Sequence, residues 1–216
     1  GMAATPGALF EIDEYTLKLL DRKEGVKIPG CYQRETVTVY TADGESYEAV
    51  TYIHLSEDSD YYEPSKNYES LIRNGLLRLN LPTIWLDFAI RKETQPRFDL
   101  VFVYGTLMRG NSRHSEMEDG CEFVCSGTTQ GSLYHVSDYP GLVIGESIVQ
   151  GELYRSTDMF EVIQRLDWVE GASGENPLFN RVIRKIETSQ GDFWAYSYNY
   201  NREVEESQMI TSGKWN

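Results

Sequence analysis

One acidic hexapeptide pattern, Leu-Asp-x-x-Glu-Gly, occurs twice in this chain, at Leu20–Gly25 and at Leu166–Gly171. Each copy sits in a longer unit of the same order. A glycine and a short apolar segment that reads as a strand come first, Gly7-Ala8-Leu9-Phe10 and Gly151-Glu152-Leu153-Tyr154. A polar cap and one amphipathic helical stretch lead into the hexapeptide. An aromatic residue and an arginine two positions apart follow, Tyr32 and Arg34 or Phe179 and Arg181, and then β-rich sequence. Self-similarity of this length means two copies of one folding unit, with Glu24 and Glu170 in the same place in each. One asymmetry matters for function. Only the second copy has upstream the segment Val101-Phe102-Val103-Tyr104-Gly105-Thr106-Leu107, an apolar strand running into a glycine turn.

At 216 residues the chain suits two domains of roughly 100 residues each, given the repeat. With 40% hydrophobic residues it is too apolar for a disordered chain. The balance of 34 acidic against 20 basic residues, net −14, argues against nucleic acid or an anionic membrane as the main partner. No apolar run approaches the ~20 residues that a membrane helix needs, and no segment reads as a secretory signal. Gly1-Met2 reads as a remnant of expression ahead of an initiator methionine. Cys31, Cys121 and Cys125 make no disulfide framework, and no second pair completes a zinc set around Cys121 and Cys125. Reduced cysteines in a cytoplasmic protein are the simpler expectation. His54, His114 and His135 are too scattered to suggest a metal triad.

Local signals predict the elements. Asp13 caps a helix running to about Arg22, with Gly25 just past its end. Glu35–Tyr40 and Tyr47–His54 form a hairpin across Ala42-Asp43-Gly44. An acidic, tyrosine-rich loop covers Ser56–Glu63; Pro64-Ser65 opens a helix, Pro82 ends it, and Thr83–Arg91 forms a short second one. Lys92–Arg97 is the linker. Beyond it, Asp99–Tyr104 is a strand covered on both faces. Asn111–Asp119 is helical, and strands are expected at Cys121–Ser126, Gly131–Val136 and Ile148–Tyr154, with a turn at Tyr139-Pro140-Gly141. Thr157 or Asp158 caps a helix carrying Met159, Val162, Ile163 and Leu166, and a last hairpin joins Phe179–Glu187 to Phe193–Tyr200. Strands dominate without βαβ alternation, so the fold class is α+β with a small, strongly curved or closed sheet.

The strand into Tyr104-Gly105-Thr106-Leu107, the Tyr139-Pro140-Gly141 turn, the Glu170 hexapeptide and the terminal Ser212-Gly213-Lys214-Trp215 stand in a specific order. In that order residues 98–216 resemble the gamma-glutamylcyclotransferase superfamily, in particular its gamma-glutamylamine cyclotransferase-like branch. Residues 7–91 resemble the later half of a second such domain. The resemblance implies a tandem protein: an incomplete first unit over 3–95, without the Tyr-Gly-Thr strand and ending in a helical tail, and a complete domain over 96–216. It implies a small mixed β-barrel flanked by helices. It implies an enzyme that cyclises the glutamyl part of a small gamma-glutamyl compound to 5-oxoproline and releases the amine, with no metal or cofactor. The family's catalytic carboxylate maps onto Glu170 and its substrate-cradling loop onto Tyr104, Gly105, Thr106 and Leu107. The second unit departs from the family pattern at Phe179, where tyrosine is common, and at Lys214, where aspartate is frequent.

The residue types suit that chemistry. The substrate's own α-amine is the nucleophile, so the protein supplies geometry, a proton acceptor and oxyanion donors. One carboxylate can take and return the proton if its pKa lies near working pH. The helix end before Glu170 and burial against Trp168 are expected to raise that pKa. Gly105 permits a turn with positive φ and lets backbone N–H groups approach a ligand closely, beside the Thr106 hydroxyl. Tyr104 either orients the glutamyl group or simply ends a strand. Arg181 is a candidate carboxylate clamp, although an arginine in a hairpin more often pairs structurally. Glu24 marks a vestigial second site that by itself catalyses nothing. The unit's missing strand is explained by a remnant, a strand borrowed from elsewhere, or a longer natural chain; the sheet edge it leaves favours dimerisation or coverage by the other domain. Two rivals share the site: a module that binds a gamma-glutamyl or amino-acid ligand without turnover, and an amide hydrolase in which Glu170 activates water. A Cys121 or Cys125 nucleophile lacks a histidine partner at recognisable spacing. The leaving group stays open among an amino acid, glutathione, a lysine ε-amine and a small amine.

Overall fold

A computed structural model describes residues 5–54, 63–79, 81, 83–91 and 98–216. The linker expected at 92–97, the Pro82 stop, and the acidic loop expected at 56–63 (Glu63 apart) lie outside the described residues. The chain divides into two compact units, one of Ala3–Val39 and Tyr47–Pro96, the other of Tyr40–Ser46 and Arg97–Asn216.

The first unit is built from local signals. Helix α1 (Glu14–Glu24) begins where the Asp13 carboxylate accepts from Thr16 N–H at 2.7 Å and ends at Gly25, whose φ of 69° is the left-handed conformation that glycine adopts without strain. Strands β1 (Tyr32–Tyr40) and β2 (Ser46–His54) form a two-stranded sheet. Helix α2 (Lys66–Arg78), capped by Ser65, and the short α3 (Ile84–Ile90) complete it. Neither α1 nor α2 buries any residue fully; Tyr68 and Leu71, which keep helical spacing, are exposed. The strand expected at Gly7–Phe10 does not form, and Phe10 is 72% exposed. A strand exists only by pairing, and the two-stranded sheet offers this segment no ladder.

The second unit is a closed barrel. Its strands are β3 (Leu100–Val103), β4 (Glu122–His135), β5 (Pro140–Arg155), β6 (Phe179–Thr188) and β7 (Gly191–Tyr200), in the order β3-β5-β4-β6-β7. It is mixed: β3 runs antiparallel to β5, Phe102 opposite Leu153, and parallel to β7, Val101 opposite Tyr196. All four β3 residues are buried, as its apolar run predicts. Leu100, Phe102, Leu133, Leu142, Val149, Leu153, Ile186 and Ala195 fill the core. Helix α5 (Met159–Val169), capped by Asp158, buries Met159, Val162, Ile163 and Leu166.

Two expectations are revised. Cys121–Ser126 and Gly131–Val136 belong to one bent strand, β4, broken in register at Phe123/Cys125 and Gln130/Ser132. Gly131, at φ 153°, absorbs the second irregularity, so the break expected between two strands is a bulge within one. The helix expected over Asn111–Asp119 shrinks to α4 (Ser115–Glu118), because turns closed by Asn111 N–H to Met108 O and His114 N–H to Asn111 O precede it.

Arg184 is fully buried in this unit. Its Nε and Nη2 donate to Asn199 Oδ1 and its Nη1 to the Gln130 carbonyl, and burial pulls its pKa down to about 10. No helix among the described residues is long and apolar enough to cross a membrane.

Candidate active site

The hexapeptide ends its helix the same way in both units. Gly25 N–H reaches Arg22 O and Val26 N–H reaches Asp21 O; Gly171 N–H reaches Trp168 O and Ala172 N–H reaches Asp167 O. Both glycines have positive φ, 69° and 59°. This is the Schellman arrangement, and it explains the glycine by backbone geometry alone. The aspartate is bound alike as well. Asp167 accepts from Tyr198 Oη at 2.8 Å and from Arg181 Nη1 at 2.6 Å. Asp21 accepts from Tyr52 Oη at 2.8 Å and from Arg34 Nη1 at 3.4 Å. Arg181 is therefore held by Asp167 and lines a cleft other than the one that Glu170 lines; the structure does not bring it beside Glu170. Ion pairing explains the arginine of the repeat.

The residue after this cluster that faces a cavity is Glu170. The Schellman turn directs it, with Val169, into a pocket of about 90 Å³ shared with Tyr104, Gly105, Thr106, Leu107, Arg113, Tyr139, Pro140, Phe179 and Tyr198. Glu170 as a residue keeps partial solvent access, but protein crowds its carboxyl. That burial pushes its pKa up to about 7, against the opposing pull of the Arg113 guanidinium. Trp168 contributes nothing to this burial. It is 82% exposed, contrary to expectation, because it lies on the outer side of α5 while Leu166 turns inward.

The loop after β3 forms the opposite wall. Gly105 does not take positive φ; the positive-φ residue of this loop is Gly110, at 82°. Gly105 is required for space instead, since a Cβ there would lie 2.7 Å from Pro140 Cγ and 2.9 Å from Pro140 Cδ. Met108 N–H folds back on Gly105 O, Arg113 N–H on Thr106 O, Asn111 Nδ2 on Gly105 O, and His114 Nδ1 lies 3.1 Å from Leu107 O. The loop's carbonyls are thus drawn to one side. Among the described residues, no acceptor takes the N–H of Gly105, Thr106 or Leu107. Unclaimed N–H groups in a cavity wall suit an anionic group. Tyr104 lines the pocket, but its hydroxyl donates to the Tyr198 carbonyl at 2.7 Å, and burial drives its pKa upward. It serves the wall more than a ligand.

Phe179, buried against Tyr139 and Tyr200 at ring distances of 6.1 and 5.3 Å, gives the pocket an apolar side. Sequence reasoning missed Arg113 and named Tyr139 only as part of a turn, not as a residue of the cavity. Neither belongs to the repeat, and only the fold of the loop brings Arg113 beside the end of α5, where its Nη1 donates to Val169 O at 3.1 Å. Glu24 is half-buried and lines neither cavity. A more open cleft of about 780 Å³ is lined by Asp167, Asn180, Arg181, Val182, Asn199 and Tyr200 among others. Its size does not make it the better candidate, because Asp167 and Arg181 there already neutralise one another. Among the described residues no group of histidines, cysteines and carboxylates could hold a metal ion.

Comparison with known proteins adds a family. The model for gamma-glutamyl cyclotransferase, AIG2-like, matches residues 101–216, and the model for the AIG2-like family matches residues 6–88. The gamma-L-glutamyl-butirosin B gamma-glutamyl cyclotransferase of Niallia circulans is 32% identical over 107 residues, 48% of this chain and 67% of that protein. The gamma-glutamylcyclotransferase family protein YtfP of Escherichia coli is 30% identical over 115 residues, 53% of this chain and 94% of that protein. Among solved structures, YkqA from Bacillus subtilis shares 26% identity at a TM-score of 0.44, over 54% of this chain and 39% of its own.

Proposed function

This chain belongs to the gamma-glutamyl cyclotransferase, AIG2-like family, and on that premise we propose that its second unit converts a gamma-glutamyl amide to 5-oxoproline with release of the amine. One observation carries the reading. A carboxyl whose pKa is raised to about 7, Glu170, lines the same small cavity as a loop with three unclaimed N–H groups. Substrate binding brings the glutamyl α-amine within reach of its own γ-carbonyl carbon, and the bound conformer is most of the catalysis. Glu170 takes a proton from the α-ammonium, and the freed nitrogen attacks the carbonyl carbon. Charge that develops on the carbonyl oxygen meets the N–H groups of Gly105–Leu107. As the tetrahedral centre collapses, Glu170 returns its proton to the departing nitrogen and the exocyclic C–N bond breaks. The ring nitrogen, which still carries two protons, passes the surplus one by way of the Glu170 carboxylate to the released amine. The ring C–N bond replaces the amide C–N bond, and the two protons shed by the ammonium end on the released amine. The balance closes without water, oxidant or co-reactant.

The Asp167–Tyr198–Tyr104 chain of hydrogen bonds ties the end of α5 to the loop that it faces, which supports a rigid spacing between base and donors. Glu24, without such a loop opposite, is read as inactive. The reducing cytoplasm fits three free cysteines, and the first unit's sheet, which has two strands among the described residues, supports pairing with a second copy. Incubating wild type, Glu24→Gln and Glu170→Gln with a panel of gamma-glutamyl compounds, with product analysis by mass spectrometry, tests the proposal. 5-Oxoproline formed by wild type and Glu24→Gln but not by Glu170→Gln is the expected result. Free glutamate would indicate hydrolysis instead, and unchanged ligand would indicate a binding module.

A further inference from the structure

Arg113 is pinned at two points. Its backbone N–H donates to Thr106 O at 3.0 Å and its Nη1 to Val169 O at 3.1 Å, so it joins the donor loop to the helix end that carries Glu170. It is exposed, yet it lines the same cavity. Among the described residues it forms no ion pair, whereas Arg109, Arg155, Arg165 and Arg181 of the same unit all face carboxylates. Arg184 and Arg202 also lack ion pairs there, but several amide or carbonyl oxygens hold each of them. Arg113 shares its cavity with the Glu170 carboxyl, on which its charge acts without an ion pair, so its guanidinium is held in place facing the cavity with no structural salt-bridge partner. A structural explanation accounts for only one of its nitrogens.

The position supplies the rest. Ring closure needs the glutamyl half enclosed, with its amine at Glu170 and its carbonyl at the loop. The cavity is small, about 90 Å³; with the glutamyl half inside it, the amide nitrogen's substituent would extend toward solvent, and Arg113 is the exposed charged residue of its lining. A planar guanidinium binds a carboxylate through two parallel hydrogen bonds, a match in which lysine is a poor substitute.

We propose that Arg113 reads the leaving group: it selects gamma-glutamyl amino acids and peptides, whose released amine carries a carboxylate, over gamma-glutamyl derivatives of simple amines. This inference rests on the cyclotransferase reading of the same site. Two compounds that differ only in the carboxylate, gamma-glutamyl-alanine and gamma-glutamyl-ethylamine, isolate the effect. The quantity to measure is the ratio of their kcat/KM values for wild type, Arg113→Gln and Arg113→Lys. Loss of Arg113 also removes a positive charge near Glu170, but that change acts on both substrates and cancels in the ratio. Wild type is expected to prefer gamma-glutamyl-alanine by roughly tenfold or more, of the order of one charge-assisted hydrogen-bonded pair. The preference collapses toward unity in Arg113→Gln and survives in part in Arg113→Lys. Equal losses on both compounds would mean that Arg113 holds the glutamyl α-carboxylate, and a wild-type preference for the ethylamide would mean that it holds nothing; either overturns the proposal. Calorimetric binding of both compounds to Glu170→Gln, with and without Arg113→Gln, separates the two levels. If no compound is cyclised, the cyclotransferase reading fails, while a binding preference abolished with Arg113 still supports this one and an unchanged preference still sinks it. A thermal melt checks that each variant is folded, and Arg113→Lys carries the test if Arg113→Gln is not.

Discussion

The Tyr198 hydroxyl donates to the Asp167 carboxylate at 2.8 Å, and the carbonyl of the same tyrosine accepts from the Tyr104 hydroxyl at 2.7 Å. Asp167 lies three residues before Glu170 and Tyr104 begins the donor loop, so one short relay spans the candidate site from wall to wall. The first unit keeps the outer half of the relay, Asp21 with Tyr52, and among its described residues no hydroxyl continues it as Tyr104 does in the second.

Glu170→Gln keeps the shape of the carboxyl but cannot take a proton. Turnover is expected to fall by roughly 10²- to 10⁴-fold, the usual contribution of a general acid–base, with substrate affinity largely kept. Single-turnover kinetics beside a direct binding measurement checks this. Turnover retained in Glu170→Gln and lost in Glu24→Gln would reverse the assignment of the two repeats.

The pH dependence follows from burial. Glu170 stands at about 7 in the folded protein against an ordinary 4.5, so kcat/KM should climb as pH rises through 7 and the carboxylate forms. Stability should move the other way. A carboxyl with a raised folded pKa holds its proton longer folded than unfolded, so the folded state loses stability as pH rises from about 4.5 to about 7 and does not regain it above. Glu170→Gln removes that penalty and should be more stable than wild type at pH 8 by about 2 kcal/mol, allowing for partial solvent access. At pH 4 the two should melt together. Denaturant titrations at both pH values decide it.

Asp167→Asn breaks a close ion pair and weakens the tyrosine bond. A loss of about 1–2 kcal/mol is expected, because the bonded groups are only partly buried. Because the relay positions Glu170 without touching substrate, kcat should fall more than KM rises. Asp21→Asn should cost less, since its arginine is farther away, at 3.4 Å rather than 2.6 Å, and more exposed. Chemical denaturation of the two variants in parallel, with steady-state kinetics, makes the comparison.

Gly105→Ala tests whether the loop needs space rather than freedom of φ. The added methyl would press on Pro140 at 2.7 Å, displacing the donor loop from the turn that begins β5. Activity should drop at least tenfold, because a 1 Å misplacement can cost about 10²-fold, while the barrel stays folded. Gly105→Ala with Pro140→Ala should recover part of the loss. An unaffected single variant would show that the loop is not a precise donor array.

Much of this molecule is written in short-range signals. The Asp13 cap, the Gly25 and Gly171 stops, the buried run of β3 and the two hairpins all formed where residue types and spacing predicted them, because caps, positive φ and alternation depend on a few neighbouring residues. The repeat, too, is visible as letters, and its aspartate and arginine proved to be partners in both copies. What the letters could not carry is whatever depends on closure. Gly7–Phe10 has strand-like composition but no ladder to join. Gly131 reads as the start of a new strand until β5 pairs across it and makes it a bulge within one. Arg181 and Arg113 are indistinguishable as arginines. Only the barrel and the fold of the post-β3 loop hand one to Asp167 and bring the other to the cavity, and only burial in that cavity separates the proton affinity of Glu170 from the ordinary carboxylate it would otherwise be.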